Sequence, residues 1–190
     1  LNPFGPYQWT FTTVPAARFD PNEIGARTSA TFGTPHILVS DPGLSGAYTL
    51  QVSVPQGLTV DTTQDADGNL VCVRKGVDMS TITSSWDATG RVISITGQAT
   101  TPTSSVEVVK SIRLTAPSTT GSMQVLLNEN PSLTVRVGST TPGDFNGDSL
   151  VNITDAGWFV QEWVRWQQSP TPTFDTDVDT PYDLAPHTTG

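Results

Sequence analysis

The residues with the clearest chemical purpose stand in one stretch, GDFNGDSLVNITD, which runs from Gly143 to Asp155 and carries Asp144, Asn146, Asp148, Asn152 and Asp155. Calcium is a hard cation that takes six to eight oxygens, and a loop of twelve residues can supply them from positions 1, 3, 5, 7, 9 and 12 when a helix begins near its end. Counted from Asp144, those positions hold Asp144, Asn146, Asp148, the main-chain carbonyl of Leu150, Asn152 and Asp155. Two departures are visible. Ser149 stands at the sixth position, where glycine eases the sharp turn, and the last ligand is the shorter Asp rather than Glu. The plainer reading is a turn followed by a helix cap, with Asn152 or Thr154 capping and Asp155 favouring the helix dipole. A cap accounts for one or two of these residues and a cage for all of them, so calcium is the expected ligand. Asn152 also opens an N-x-T sequon, which a ligand role would exclude.

A second acidic run, FDTDVDTPYDLAP, offers Asp175, Asp177, Asp179 and Asp183 at positions 1, 3, 5 and 9, but position 12 falls on Pro186 and no helix follows. These carboxylates either hold a second ion with help from main chain or a neighbouring chain, or form a solvated acidic tail. Their mutual repulsion without a cation favours binding. The other polar residues read blandly. His36 and His187 are isolated, no Ser or Cys forms a recognisable triad with them, and no acid sits in an obviously apolar pocket, so no catalytic constellation is expected. Asp65 to Asn69, DADGN, reads as a hairpin turn rather than a cation contact. Cys72 lies within an apolar alternation and has no second cysteine to pair with, the pattern of a small buried hydrophobe. Trp86 could stack on a sugar ring, although packing is the simpler use.

The elements that must position the acidic loop divide the chain of 190 residues into zones. An arm, residues 1–14, alternates Tyr7, Trp9 and Phe11 with polar residues, the period of a half-buried strand. Residues 15–27, with Pro and Asn turn signals, read as a linker. From 28 to 138, short β-rich runs such as HILVS, GAYTLQVSV, RVISITG, SSVEVVKSIRLTA and SLTVRV alternate with Gly-, Pro- and Asp-rich turns. Such spacing predicts a mainly β fold, an antiparallel sandwich of about seven to nine strands. GSTTPG then reads as a short linker. The only convincing helix, ITDAGWFVQEWVRWQQ from Ile153 to about Gln168, places Ala156, Phe159, Val160, Trp163 and Gln167 on one face. Trp158 and Trp166 fall off that face, where they either dock a partner or pack on the sandwich.

Charge separates the same zones. The formal net charge is −9, and from Gly143 onward seven Asp and one Glu face a single Arg165, leaving −2 for everything before it. This argues against nucleic acid, which needs clustered Lys and Arg, and favours cations as partners. No apolar run is long enough to span a bilayer. The chain opens on Leu1 without a signal peptide, the expectation for a processed or excised protein.

With these residues in hand, GDFNGDSLVNITDAGWFVQEWV resembles the first calcium-binding repeat of a dockerin, an EF-hand-type loop followed by one helix. The resemblance implies calcium at Asp144, Asn146, Asp148, Leu150, Asn152 and Asp155. A dockerin has two such repeats, and the run from Asp175 to Asp183 departs from the second. The middle zone is similar to a cohesin-like or immunoglobulin-like sandwich, through GAYTLQVSVPQGLTV, VEVVKSIRLTA and TTGSMQVLLNEN. The arm GPYQWTFTTV resembles the last strand of a bacterial immunoglobulin-like domain, and one strand is not stable alone. It is a remnant, an edge strand of the chain's own sandwich, or a strand donated to a neighbour.

Together these readings lead to an expected non-enzymatic structural or assembly protein, extracellular or on the surface of a bacterial or archaeal cell. Residues 143–190 would be its dockerin-like segment. Its expected partners are calcium and further copies of itself or a cohesin- or dockerin-type protein, through Trp158, Trp166, Tyr7, Trp9 and Phe11. Head-to-tail contacts that do not close would give a filament. The competing expectation is a carbohydrate-binding or adhesin module of a larger protein.

Overall fold

A computed structural model describes residues 16–40, 47–100, 105–138 and 143–168. It is mainly β, with two six-stranded sheets and one helix among these residues. The strands are β1 (Ala16–Asp20), β2 (Glu23–Arg27), β3 (Thr31–Gly33), β4 (His36–Ser40), β5 (Ala47–Ser53), β6 (Thr59–Val60), β7 (Val73–Lys75), β8 (Met79–Asp87), β9 (Val92–Ala99), β10 (Val106–Thr115), β11 (Gly121–Leu127) and β12 (Asn130–Gly138). The helix is α1 (Ile153–Gln168).

In the first sheet β10 is the spine, with Leu114 between Phe32 of β3 and Val60 of β6, and Val109 between Ile37 of β4 and Lys75 of β7. β1 pairs with β4. The apolar alternation of β10 slips at Val108-Val109, and both side chains are nonetheless buried because the register shifts there, as at a bulge. The second sheet runs β2-β12-β11-β5-β9-β8. Its pairs are antiparallel except β2 with β12, which is parallel. Ile37, Val39, Val108 and Ile112 of one sheet and Leu50, Val52, Ile93, Ile95, Val125 and Leu133 of the other belong to one buried cluster. That is the common core of a sandwich-like fold.

The stretch 15–27, expected to be a linker, instead carries β1 and β2. Its Pro21-Asn22 turn signals punctuate two short strands, and tertiary pairing with β4 and β12 overrides the loop-like composition. The count of strands also exceeds the expected seven to nine. The surplus is in β1, β2 and β8, whose Ser- and Thr-rich sequence MSTITSSWD lacks a clean alternation.

Several local expectations agree with the structure. Asp65 Oδ1 accepts from the backbone N–H groups of Asp67 and Asn69, closing the 65–69 turn as a hairpin loop. Cys72 is 1% exposed, and burial, with Asp61 nearby, pushes its thiol up to about 11. A thiol at neutral pH is neither nucleophile nor metal ligand. A disulfide reagent at about pH 8 is therefore expected to leave Cys72 intact in the native protein and to modify it fully in denaturant; rapid native-state labelling would contradict this burial.

Candidate functional site

The acidic loop is built onto the edge of the second sheet. Gly25 of β2 donates its N–H to the Phe145 carbonyl at 2.8 Å, so the loop continues the hydrogen bonding of that edge. Phe145 is buried and stacks on Phe159 of α1, with ring centroids 6.1 Å apart. Phe159 in turn stacks on Trp163 at 6.4 Å, and Gln161 donates to Asp20 of β1 at 3.1 Å. The loop thus leans on the second sheet through the Gly25–Phe145 backbone bond and the helix on the first through Gln161 and Asp20, while the aromatic stack joins loop to helix.

Within the loop the expected ligands form a single network. Asp155 is 1% exposed; its Oδ1 accepts from the N–H groups of Phe145 (2.8 Å) and Asn146 (3.4 Å), and its Oδ2 from Asn152 N–H (2.9 Å). Asp144, also buried, accepts from Asp148 N–H at 3.1 Å and Ser149 N–H at 2.9 Å. Asp148 accepts from Leu150 N–H at 2.8 Å and from the Asn146 carboxamide at 3.0 Å. Those two bonds, the Asn146 side chain first, hold its carboxyl below the usual range. Ser149 has φ 71°, so the sixth position makes the sharp turn without a glycine.

Two expected ligands stand differently. Asn152 caps α1: its Oδ1 accepts from Thr154 N–H at 2.7 Å and its carbonyl from Ala156 N–H at 3.2 Å. The capping reading is therefore right for Asn152, while Asp144, Asn146, Asp148 and Asp155 serve the loop. Leu150 exposes its side chain to solvent. Among the described residues no group of three or more His, Cys, Asp or Glu side chains is arranged to hold a metal ion. The loop carboxylates are committed to backbone N–H groups. Yet none of Asp144, Asp148 and Asp155 has an ion-pair partner among the described residues. Asp144, Asn146, Asp148 and Asp155 offer the hard oxygen donors that calcium would need, Ser149 supplies the left-handed sixth residue, and the charge of Arg136 reaches Asp148 from beyond ion-pair distance.

α1 has the expected extent, but of its expected packing face Phe159 turns inward while others do not. Asp155, Trp158, Phe159 and Gln161 turn toward the protein, whereas Ala156, Val160 and Trp163, expected on the packing face, are exposed. The rotation follows from Asp155, whose buried carboxylate must face the loop and carries residues three and four further along inward with it. Trp158 is half-buried in a groove beside β1. On the outer side, Ile153, Val160 and Val164 recur at helical spacing and are 85%, 55% and 44% exposed, beside exposed Leu150 and Val151.

The side chain of Trp166, the arm residues Tyr7, Trp9 and Phe11, and the acidic run Asp175, Asp177, Asp179 and Asp183 lie outside the described residues. His36, which looked isolated in the sequence, pairs with Glu107 through Nδ1 at 2.9 Å; only folding brings β4 beside β10. Trp86 packs against the core with the Arg91 guanidinium 5.7 Å from its ring centroid, so it is used for packing. Among the described residues no helix is long and apolar enough to cross a membrane. No family model, no curated protein and no solved structure matches this chain.

Proposed function

We propose that this chain is a non-enzymatic structural protein of the extracellular space or cell surface, which assembles through a calcium-stabilised dockerin-like segment and a cohesin-like or immunoglobulin-like sandwich. The observation that carries the reading is the pair of buried carboxylates, Asp144 and Asp155, next to Asp148 and without a cationic side chain paired to any of the three among the described residues. Burying such charge is costly, and the backbone N–H groups that these carboxylates accept offset part of that cost. Calcium supplies the rest of the compensation. Asp144, Asn146, Asp148, Asp155 and the Leu150 carbonyl would hold it, with Asn152 contributing from the helix cap.

Assembly is supported by what the docked segment leaves uncovered. Leu150, Val151, Ile153, Val160 and Val164 form an exposed apolar strip on the loop and outer side of α1. Such strips are common at protein interfaces. A second copy meeting this strip with its sandwich makes a head-to-tail contact, which grows into a filament if it does not close. Donation of the arm carrying Tyr7, Trp9 and Phe11 to the next copy would reinforce the same polarity.

Calorimetric titration with calcium is expected to reveal a saturable site that Asp144→Ala abolishes, and electron microscopy in calcium is expected to reveal filaments that chelator dissolves. Unchanged calcium binding in Asp144→Ala removes the loop from this reading. Monodisperse monomers in both calcium and chelator remove the assembly.

A further inference from the structure

A groove of about 510 Å³ runs along the seam between β1, the Pro21-Asn22 turn, the start of β12 and the inner side of α1. Its size is that of a small-molecule site. Its chemistry is not that of an apolar drug-like pocket, for Trp158 is accompanied by Arg18, Asp20, Asn22, Asn130 and Gln161. Three of these are carboxamides, each carrying donors and an acceptor in one plane, a match for the adjacent hydroxyls of a sugar ring. The indole offers an apolar face with an N–H at its edge, suited to the C–H face of the same ring.

These groups keep capacity for a ligand. Gln161 spends its Nε2 on Asp20 and Asn130 its Nδ2 on the Asn128 carbonyl, leaving both amide oxygens as acceptors. Neither the Asn22 carboxamide nor the Trp158 N–H has a hydrogen-bond partner among the described residues. Arg18 and Asp20 are opposite charges, so the groove itself selects neither anion nor cation, and a net charge of −9 disfavours polyanions.

We propose that this seam groove binds a neutral oligosaccharide, with Trp158 as the stacking platform and Asn22, Asn130 and Gln161 reading hydroxyls. This goes beyond the assembly reading and does not need it, because it uses only α1 in its docked position. The test is an NMR titration of the full ¹⁵N-labelled chain, in calcium, with cellohexaose, xylohexaose and mannohexaose. At least one is expected to give saturable shifts at the Trp158 indole and the Asn22 and Asn130 side-chain amides, with a Kd of about 1 mM or tighter. The Asn22→Ala, Asn130→Ala double variant should weaken that binding about tenfold or more. Asn22→Ala alone, which removes an exposed side chain, keeps the test valid should the double variant fail to fold, and is expected to weaken binding by a smaller factor. Absence of a saturable response to all three sugars overturns the proposal, as does undiminished binding in the folded variants.

Discussion

Replacing Asp155 by alanine is expected to release the C-terminal segment from the sandwich while the sandwich stays folded. The carboxylate is 1% exposed and collects three backbone N–H groups, from Phe145, Asn146 and Asn152. Hydrogen bonds to a charged acceptor contribute about 1.5–3 kcal/mol each, and a buried donor left unpaired costs a similar amount. Even with the long Asn146 bond discounted, removing the acceptor costs the docked loop about 3 kcal/mol or more. The sandwich core is made by other residues, so the loss should be local. Hydrogen exchange will check it. The Gly25 amide, which donates to the Phe145 carbonyl, should lose protection, while amides of β9 and β10 keep theirs. Asp155→Asn removes the charge but keeps one acceptor oxygen, enough for the Phe145 and Asn146 N–H groups, while its NH2 would face the Asn152 N–H. It should dock more weakly than the wild type, more tightly than the alanine variant, and lose calcium affinity. Unaltered Gly25 protection in the alanine variant would mean that Asp155 does not anchor the loop.

This anchoring explains which parts of the molecule could be read from the sequence. That Asp144, Asn146, Asp148 and Asp155 meet in one loop was legible because oxygen-bearing side chains stand at a fixed count along the chain. β4, β5, β9 and β10 were legible because β-branched and aliphatic residues in them alternate or run continuously. β8 was not, since Met79, Ile82 and Trp86 are spaced irregularly among Ser and Thr; pairing with β9 makes it a strand. The ends of α1 followed from Asn152 and the apolar period, but its facing did not. Hydropathy points Val160 and Trp163 inward, and no hydropathy argument anticipates that a carboxylate would be the most buried of the helix's described side chains. The His36–Glu107 pair and the seam groove join residues far apart in the chain, and nothing local marks them.

Gly147→Ala is expected to disrupt the same docking from the opposite side. Gly147 has φ 71°, a conformation that an L-residue adopts at a cost of about 1–2 kcal/mol. Steric contact adds to the strain. A Cβ there would lie 2.9 Å from the Gly25 Cα and 3.0 Å from the Arg136 Cβ, with the Arg136 carbonyl at 3.3 Å. These are backbone and near-backbone atoms of the paired strands β2 and β12, which cannot swing aside as a side-chain tip can. The loop must therefore move, stretching the Gly25 to Phe145 hydrogen bond and separating Phe145 from its seat. The variant should lower the stability of the docked segment by about 2 kcal/mol or more and reduce calcium affinity with it. Ser149→Gly makes the opposing case. Ser149 carries the same φ of 71° and is exposed, so glycine relieves strain without creating a clash and should strengthen docking by up to about 1 kcal/mol. Chemical-shift and exchange measurements on Gly25 and Phe145 in both variants read the two effects directly. If Gly147→Ala leaves those signals where they are in the wild type, the close approach of the loop to β2 and β12 does not control docking.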